Sequence, residues 1–298
     1  MLLRARQHAH RRGLCARRPA RAEARMRLRI RSVGGRFGLA VAGLLVLVAL
    51  LAPVLSPHAP EAMDLATELA PPRPGHPLGT GENGIDLLTH VLYGARVSLV
   101  VAAFAVALSA LVGTVLGGLA GFLGGLVDEA LMRLTDVLLA FPGMLLAIFI
   151  TAVLGPSLTH VIFALSFTGW TGYARLARGQ VLTLRERDYV QAARALGAGN
   201  ARILFHHLLP NAAGPLVVQA TSALPGAILA EASLSFLGLG APPGTPSWGA
   251  LVDQGTQYLL VAPHVALFPG LALALTVLGF HLLGDAVRDA LDPKHLER

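Results

Sequence analysis

Cysteine occurs once in the 298 residues, as Cys15 near the N-terminus, which excludes an intrachain disulfide and any cysteine-based metal cluster. Lysine also occurs once, as Lys294. A Walker-type phosphate loop needs a lysine after its glycines to reach the β- and γ-phosphates, so the chain carries no nucleotide-hydrolysing loop of that kind. Charged residues make up only 14% against 54% hydrophobic, with a mean hydropathy of +0.62, which excludes a soluble domain of this size. The hydrolase signatures H-E-x-x-H and G-x-S-x-G are missing. GTGENG at 79–84 has the spacing of a dinucleotide fingerprint, but it follows a proline-rich loop rather than a strand and reads as a turn. His206 and His207 are adjacent, so on a helix they point roughly 100° apart and do not share a metal. Ionisable residues within apolar runs are few, namely His160, Glu231 and His281, and they form no relay of the sort a proton- or ion-coupled carrier needs.

What is present is a series of long apolar runs. The first, 37–55, is long enough to cross a bilayer and lacks a small-x-small cleavage site directly after it, so it reads as a retained span. The run 97–119 would be about 35 Å long as a helix, enough for a second crossing. Runs at 137–154 and 158–173, separated by the Gly-Pro-Ser turn 155–157, predict an antiparallel hairpin of spans, the first with Pro142 near its start. The fifth run, 212–234, is interrupted by Pro215 and Pro225, and the sixth covers 265–283. Between these last two, 235–264 predicts a loop with a short surface or re-entrant helix and an interface tryptophan, Trp248. The fold class expected is therefore an all-α integral membrane protein with six transmembrane helices.

The formal net charge of +7 and isoelectric point near 10.6 do not indicate nucleic acid, because half of the basic residues lie before residue 37. They set topology instead. With six spans, 22 of the 24 Lys and Arg fall on one side, leaving Arg73 and Arg96 on the other, which predicts both termini in the cytoplasm. Residues 1–36 are expected to be a disordered cytoplasmic tail, with Met26 as an alternative start; 37–95 the first span plus an extracytoplasmic loop; and 96–298 a five-helix core.

The stretch DYVQAARALGAGNARILFHHLLPN, 188–211, is polar, rich in Ala and Gly, and flanked by apolar runs. Asp188 and Gln191 have the spacing of a capping box, predicting a short helix from Val190 through Leu196 that ends at Gly197. Asn200 is placed to cap a second short helix, and Leu209-Pro210-Asn211 to begin the next span. Small side chains let another backbone approach closely, so the stretch reads as a docking knob, the alternative being an ordinary solvated loop.

QAARALG, nine residues, then HLLP resembles the EAA loop of binding-protein-dependent ABC importer permeases, and within them the dipeptide/oligopeptide/nickel group, C-type subunit. Further stretches similar to that group are HPLGTGENGIDLLTHVLYGARVSL (76–99), VDEALMRLTDVLLAFPGMLLAI (127–148), EASLSFLGLGAPPGTPSWGALV (231–252) and LGDAVRDALDPK (283–294). The resemblance implies a type I ABC importer transmembrane domain in the cytoplasmic (inner) membrane. It implies an ATPase-coupling role for Asp188, Tyr189, Gln191, Ala192, Ala193, Arg194, Leu196, Gly197, His207, Leu209 and Pro210. Gln191 stands where the pattern has an acidic residue and His207 where it has isoleucine; in the outer loop Gly81 and Ile85 replace charged residues while Asp86 is kept. The implied partners are a second homologous permease subunit, two cytoplasmic ABC ATPase subunits, an extracytoplasmic solute-binding protein and membrane lipid. Catalytic, cofactor-binding and metal-binding residues are expected to be none on this chain, with ATP and Mg on the ATPases. The function implied is ATP-driven import of small peptides by alternating access. Nickel or glutathione import is the alternative within the group; an ion-coupled secondary transporter or a structural scaffold are the alternatives outside it.

Overall fold

The computed structural model describes residues 33–291, so the disordered-tail and alternative-start expectations for the N-terminus lie outside the described residues. Among the described residues the ordered elements are all helical: α1 (Val33–Leu55), α2 (Leu87–Leu123), α3 (Gly125–Leu139), α4 (Gly143–Leu154), α5 (Leu158–Leu184), α6 (Asp188–Ala195), α7 (Asn200–Phe236), α8 (Trp248–Gln257) and α9 (His264–Leu291). The expected all-α membrane architecture is what is found. Four helices, Gly34–Leu55, α2, α7 and α9, are individually long and apolar enough to cross a bilayer, and α3 with α4 makes a fifth if the bent pair is one span.

Helix register shows how the chain passes through the bundle. On α2 the glycines Gly113, Gly117 and Gly121 lie against the backbone of Trp170, Ala174 and Arg178 on α5, a constant offset of residues that makes the two helices parallel. Since α5 starts at the end of the bundle where α2 starts, the intervening α3–α4 pair must return from one end to the other. Contacts between Ser98 and Glu231 and between Gly118 and Leu209 make α7 antiparallel to α2. Gly38 against Leu282, with Gly279 against Val41, makes α9 antiparallel to α1, and Gly284 packs on Ser222 of α7. The chain therefore traverses the bundle six times, although α5 and the α3–α4 pair lack the uninterrupted apolar run of the other spans.

The close approach of α2 to α5 requires glycine. A Cβ on Gly117 would lie 2.1 Å from the Ala174 carbonyl oxygen, and one on Gly113 2.3 Å from that of Trp170. With the driving force of water absent between lipid-embedded helices, such small-residue contact is what allows dense helix packing.

Several expectations require correction. The third span is not one helix: α3 and α4 meet at 85°, because Pro142 cannot continue α3 and restricts the residue before it to extended backbone. The second helix begins ten residues earlier than 97, at Leu87, since Asp86 caps it by accepting from the Thr89 N–H at 2.9 Å. The fourth continues past Tyr173 to Leu184, because its arginines find partners on α3: Arg178 forks onto both Asp128 oxygens at 2.5 and 2.6 Å, and Arg175 reaches Asp136 at 2.6 Å. Trp248 is not an interface residue but 1% exposed, its Nε1 donating to the Val91 carbonyl.

Candidate functional site

The knob hangs from the end of α5. Arg187 is extended (φ −75°, ψ 148°) and opens α6, so Asp188 is the first helical residue and its side chain makes no capping bond. The expected capping box is therefore not formed; Asp188 instead adds a negative charge to the first turn, and Arg194 a positive one to the last, each complementing the helix dipole. The other end of α6 is as the sequence predicts. Gly197 has φ +82°, its N–H donates to Arg194 O at 2.9 Å, and Ala198 N–H donates to Ala193 O at 3.0 Å, the paired bonds of a Schellman motif.

Beyond Gly197 the expectation of a second isolated helix gives way to something stiffer. Gly199, not Asn200, sits at the capping position, and the helix that begins there runs unbroken from Asn200 to Phe236. It does so by widening into a π turn over Ile203–Leu208, where the Leu209 N–H donates to Leu204 O. The wider turn accommodates Pro210, whose ring would otherwise crowd the carbonyl four residues earlier and which has no N–H to offer. Asn211 Nδ2 donates to the carbonyl of His207 at 2.6 Å. Leu209 and Pro210 are thus embedded in one long rod rather than at its start.

The knob rests on its own small core. Val190, Val181, Ile203, Leu204 and Leu208 are all buried together, flanked by Leu119 and Phe122 of α2. Arg185 Nη1 donates to Gly121 O at 3.0 Å, adding a polar tie to the same end of α2. On the opposite face, Asp188, Tyr189, Gln191, Ala192, Arg194 and Gly197 are exposed, and Leu196 is 89% exposed. Ala193 is half-buried, as are His207 and Leu209, while Pro210 is exposed. The eleven residues singled out from the sequence therefore divide into a presented α6 face and a supporting segment on α7. Sequence reasoning missed the anchors Val190, Ile203, Leu204 and Leu208; the signal was there as apolar residues interrupting a polar stretch.

The opposite end of the bundle holds two polar clusters. Glu231 on α7, fully buried, accepts from Ser98 Oγ of α2 at 2.6 Å, from Ser235 Oγ at 2.8 Å and from Ser247 Oγ, just before α8, at 3.1 Å. The second cluster surrounds Asp86, whose Oδ1 lies 2.9 Å from His76 Nδ1 and whose Oδ2 accepts from Thr89 Oγ1 at 2.7 Å. Burial of Asp86 works to raise its pKa, but the bonds from Thr89 and His76 and the nearby His58 outweigh it and leave the carboxyl below its ordinary value. Ile85 is buried beside Ala49 and Trp248. GTGENG is a turn, with Gly79 and Gly84 at positive φ. Between α2, α5 and α7 lies a cavity of about 220 Å³ lined in part by Ser109, Tyr173, Gln219 and Gly226.

Residues 113–296 match the family described as binding-protein-dependent transport system inner membrane component, and residues 23–72 match the N-terminal TM domain of oligopeptide transport permease C. The chain is 43% identical over 261 residues to a dipeptide transport system permease protein of Alkalihalophilus pseudofirmus, covering 86% of each chain. It is 43% identical over 252 residues to a glutathione transport system permease protein of Pectobacterium atrosepticum, covering 84% of each. With an oligopeptide transport system permease protein of Bacillus subtilis it shares 40% over 257 residues, 86% of this chain and 84% of that one.

Proposed function

The chain belongs to the family of binding-protein-dependent transport system inner membrane components, and we propose from that premise that it is the peptide-class permease subunit of an ATP-driven importer, with α6 as its coupling element. The observation that carries the coupling role is the contrast across α6: Val190 is fully buried on an apolar base continuous with α2 and α7, while Leu196 and the small residues around it face outward. A short helix closed by a Schellman turn and seated on the unbroken Asn200–Phe236 rod yields little when pushed. Force applied at α6 passes into α7, which lines the cavity between α2, α5 and α7.

In this reading 188–211 is cytoplasmic, all six traverses cross the membrane, and both termini lie inside. The motor is a pair of separate ATPase subunits that hold ATP and Mg; the chain pairs with a second permease subunit and receives its solute from an extracytoplasmic binding protein. ATP binding closes the motor, moves α6 and shifts the permease pair between inward- and outward-facing states. Glutathione, itself a short peptide, stays within the proposed substrate class, as one relative's name carries it.

The test is reconstitution with the partner subunits in liposomes. Ala193→Arg or Gly197→Asp is expected to leave membrane insertion intact and to abolish ATP-driven peptide uptake and substrate-stimulated ATP hydrolysis. Unchanged uptake in both variants counts against the coupling role.

A further inference from the structure

We propose that His58, His76 and Asp86 form a binding site for one divalent transition-metal ion of the Zn²⁺ class, at the end of the bundle opposite the coupling helix. The site joins three pieces of chain: His58 just beyond α1, His76 in the following loop, and Asp86 at the start of α2. One donor atom from each, an imidazole nitrogen of each histidine and a carboxylate oxygen, lie within 4.8 Å of one another.

The division of labour on Asp86 favours a ligand. Its Oδ2 is committed to Thr89, accepting from the backbone N–H at 2.9 Å and the hydroxyl at 2.7 Å, which fixes the carboxylate's orientation. Its Oδ1 meets His76 Nδ1 at 2.9 Å. His58 Nδ1, by contrast, is buried with no hydrogen-bond partner and sits 3.7 Å from Asp86 Oδ2, too far for a hydrogen bond. A purely structural His–Asp pair needs only His76. A second imidazole with an orphaned nitrogen turned toward the same carboxylate is accounted for by an ion between them.

Metal–nitrogen and metal–oxygen bonds of about 2.1 Å place tetrahedral donors roughly 3.4 Å apart, between the 2.9 and 3.7 Å that separate the Asp86 oxygens from the two Nδ1 atoms. The two rings stack at 4.8 Å with planes 15° apart. Because imidazole lone pairs lie in the ring plane, one ring must turn for both to meet an ion. His58 has that freedom, its side chain being 37% exposed against 17% for His76. Two imidazoles and one carboxylate suit Zn²⁺, Co²⁺ or Ni²⁺ rather than Mg²⁺ or Ca²⁺, which favour all-oxygen sites. The bound ion would tie a loop with few buried apolar side chains to the ends of α1 and α2, where Ser56 Oγ already donates to Thr89 Oγ1 at 3.1 Å.

The test uses the untagged full-length chain in lipid nanodiscs, stripped with chelator and titrated with Co²⁺ and Zn²⁺. Expected are about one Co²⁺ per chain with visible ligand-field absorption, displacement by Zn²⁺, and a rise in thermal midpoint on adding Zn²⁺. His58→Ala and its polar companion His58→Asn should weaken binding by at least about 10-fold and lose the Zn²⁺-induced rise, while keeping the metal-free midpoint of the parent. His281→Ala, on the exposed face of α9, should behave as the parent. Absence of Co²⁺ absorption in the parent chain, or equal binding by the His58 variants, overturns the proposal; neither result bears on the permease reading, since no step of the assay depends on transport.

Discussion

Glu231 and Ser98 are 133 residues apart in sequence and 2.6 Å apart in the folded chain, a hydrogen bond that joins α7 to α2 inside the bundle. With Ser235 and Ser247 on the other carboxylate oxygen, it also holds the start of α8 against both helices. A fully buried carboxylate with three hydroxyl donors locks the register of these elements, because every alternative leaves polar groups without partners in an apolar surrounding.

Glu231→Ala should therefore take the acceptor from three hydroxyls at once and cost about 3 kcal/mol of stability, whereas Ser98→Ala, which removes one donor of three, should cost about 1 kcal/mol. Chemical unfolding of the two variants in detergent checks the ordering; equal losses would mean that the Ser98 bond alone carries the carboxylate's contribution.

Gly117→Val should force α2 from α5, since even a single Cβ there meets the Ala174 carbonyl oxygen at 2.1 Å. The expected destabilisation is about 3 kcal/mol, with much of the protein lost to aggregation on solubilisation. Gly172→Ala, on α5 with open space around its would-be Cβ, should change stability by less than about 0.5 kcal/mol. Thermal midpoints of the purified variants decide it, and a well-tolerated Gly117→Val would contradict the parallel packing of these helices.

Asp86 supplies a pH dependence whose sign follows from its depressed pKa. A carboxyl that titrates lower when folded than when unfolded stabilises the folded state above its ordinary value of 3.8, and that contribution fades as pH falls through the lower folded value. In chelator, Asp86→Asn should be less stable than the parent near neutral pH, and the gap should close as the pH is taken below that ordinary value. A gap that stays constant across that range would show that Asp86 acts by shape rather than charge.

Much of the fold was legible in the chain because crossing a bilayer is a local property. Whether 37–55 or 265–283 can span depends on the summed transfer energies of its own residues, and the Gly-Pro-Ser turn and the positive-φ Gly197 are likewise matters of a few adjacent residues. The exposed face of α6 was legible for the same reason, as small and polar side chains between apolar runs. The limits of α2 and α5 were not, because α2 starts where Asp86 caps it by accepting from Thr89, and the arginines of α5 owe their positions to Asp128 and Asp136 on another helix.

By itself, then, the amino-acid sequence determined that this is a helical membrane protein, where most of its spans fall, and which short polar stretch interrupts them. The tertiary structure alone decided that Trp248 is buried, that α3 and α4 fold at 85°, and that a π turn over Ile203–Leu208 keeps Pro210 within one rod. It also decided that Glu231 gathers three serines and that His58, His76 and Asp86 converge. Hydrophobic transfer is additive along the chain and can be read there, whereas polar pairing depends on the register and rotation of helices distant in sequence, which are set only when they pack.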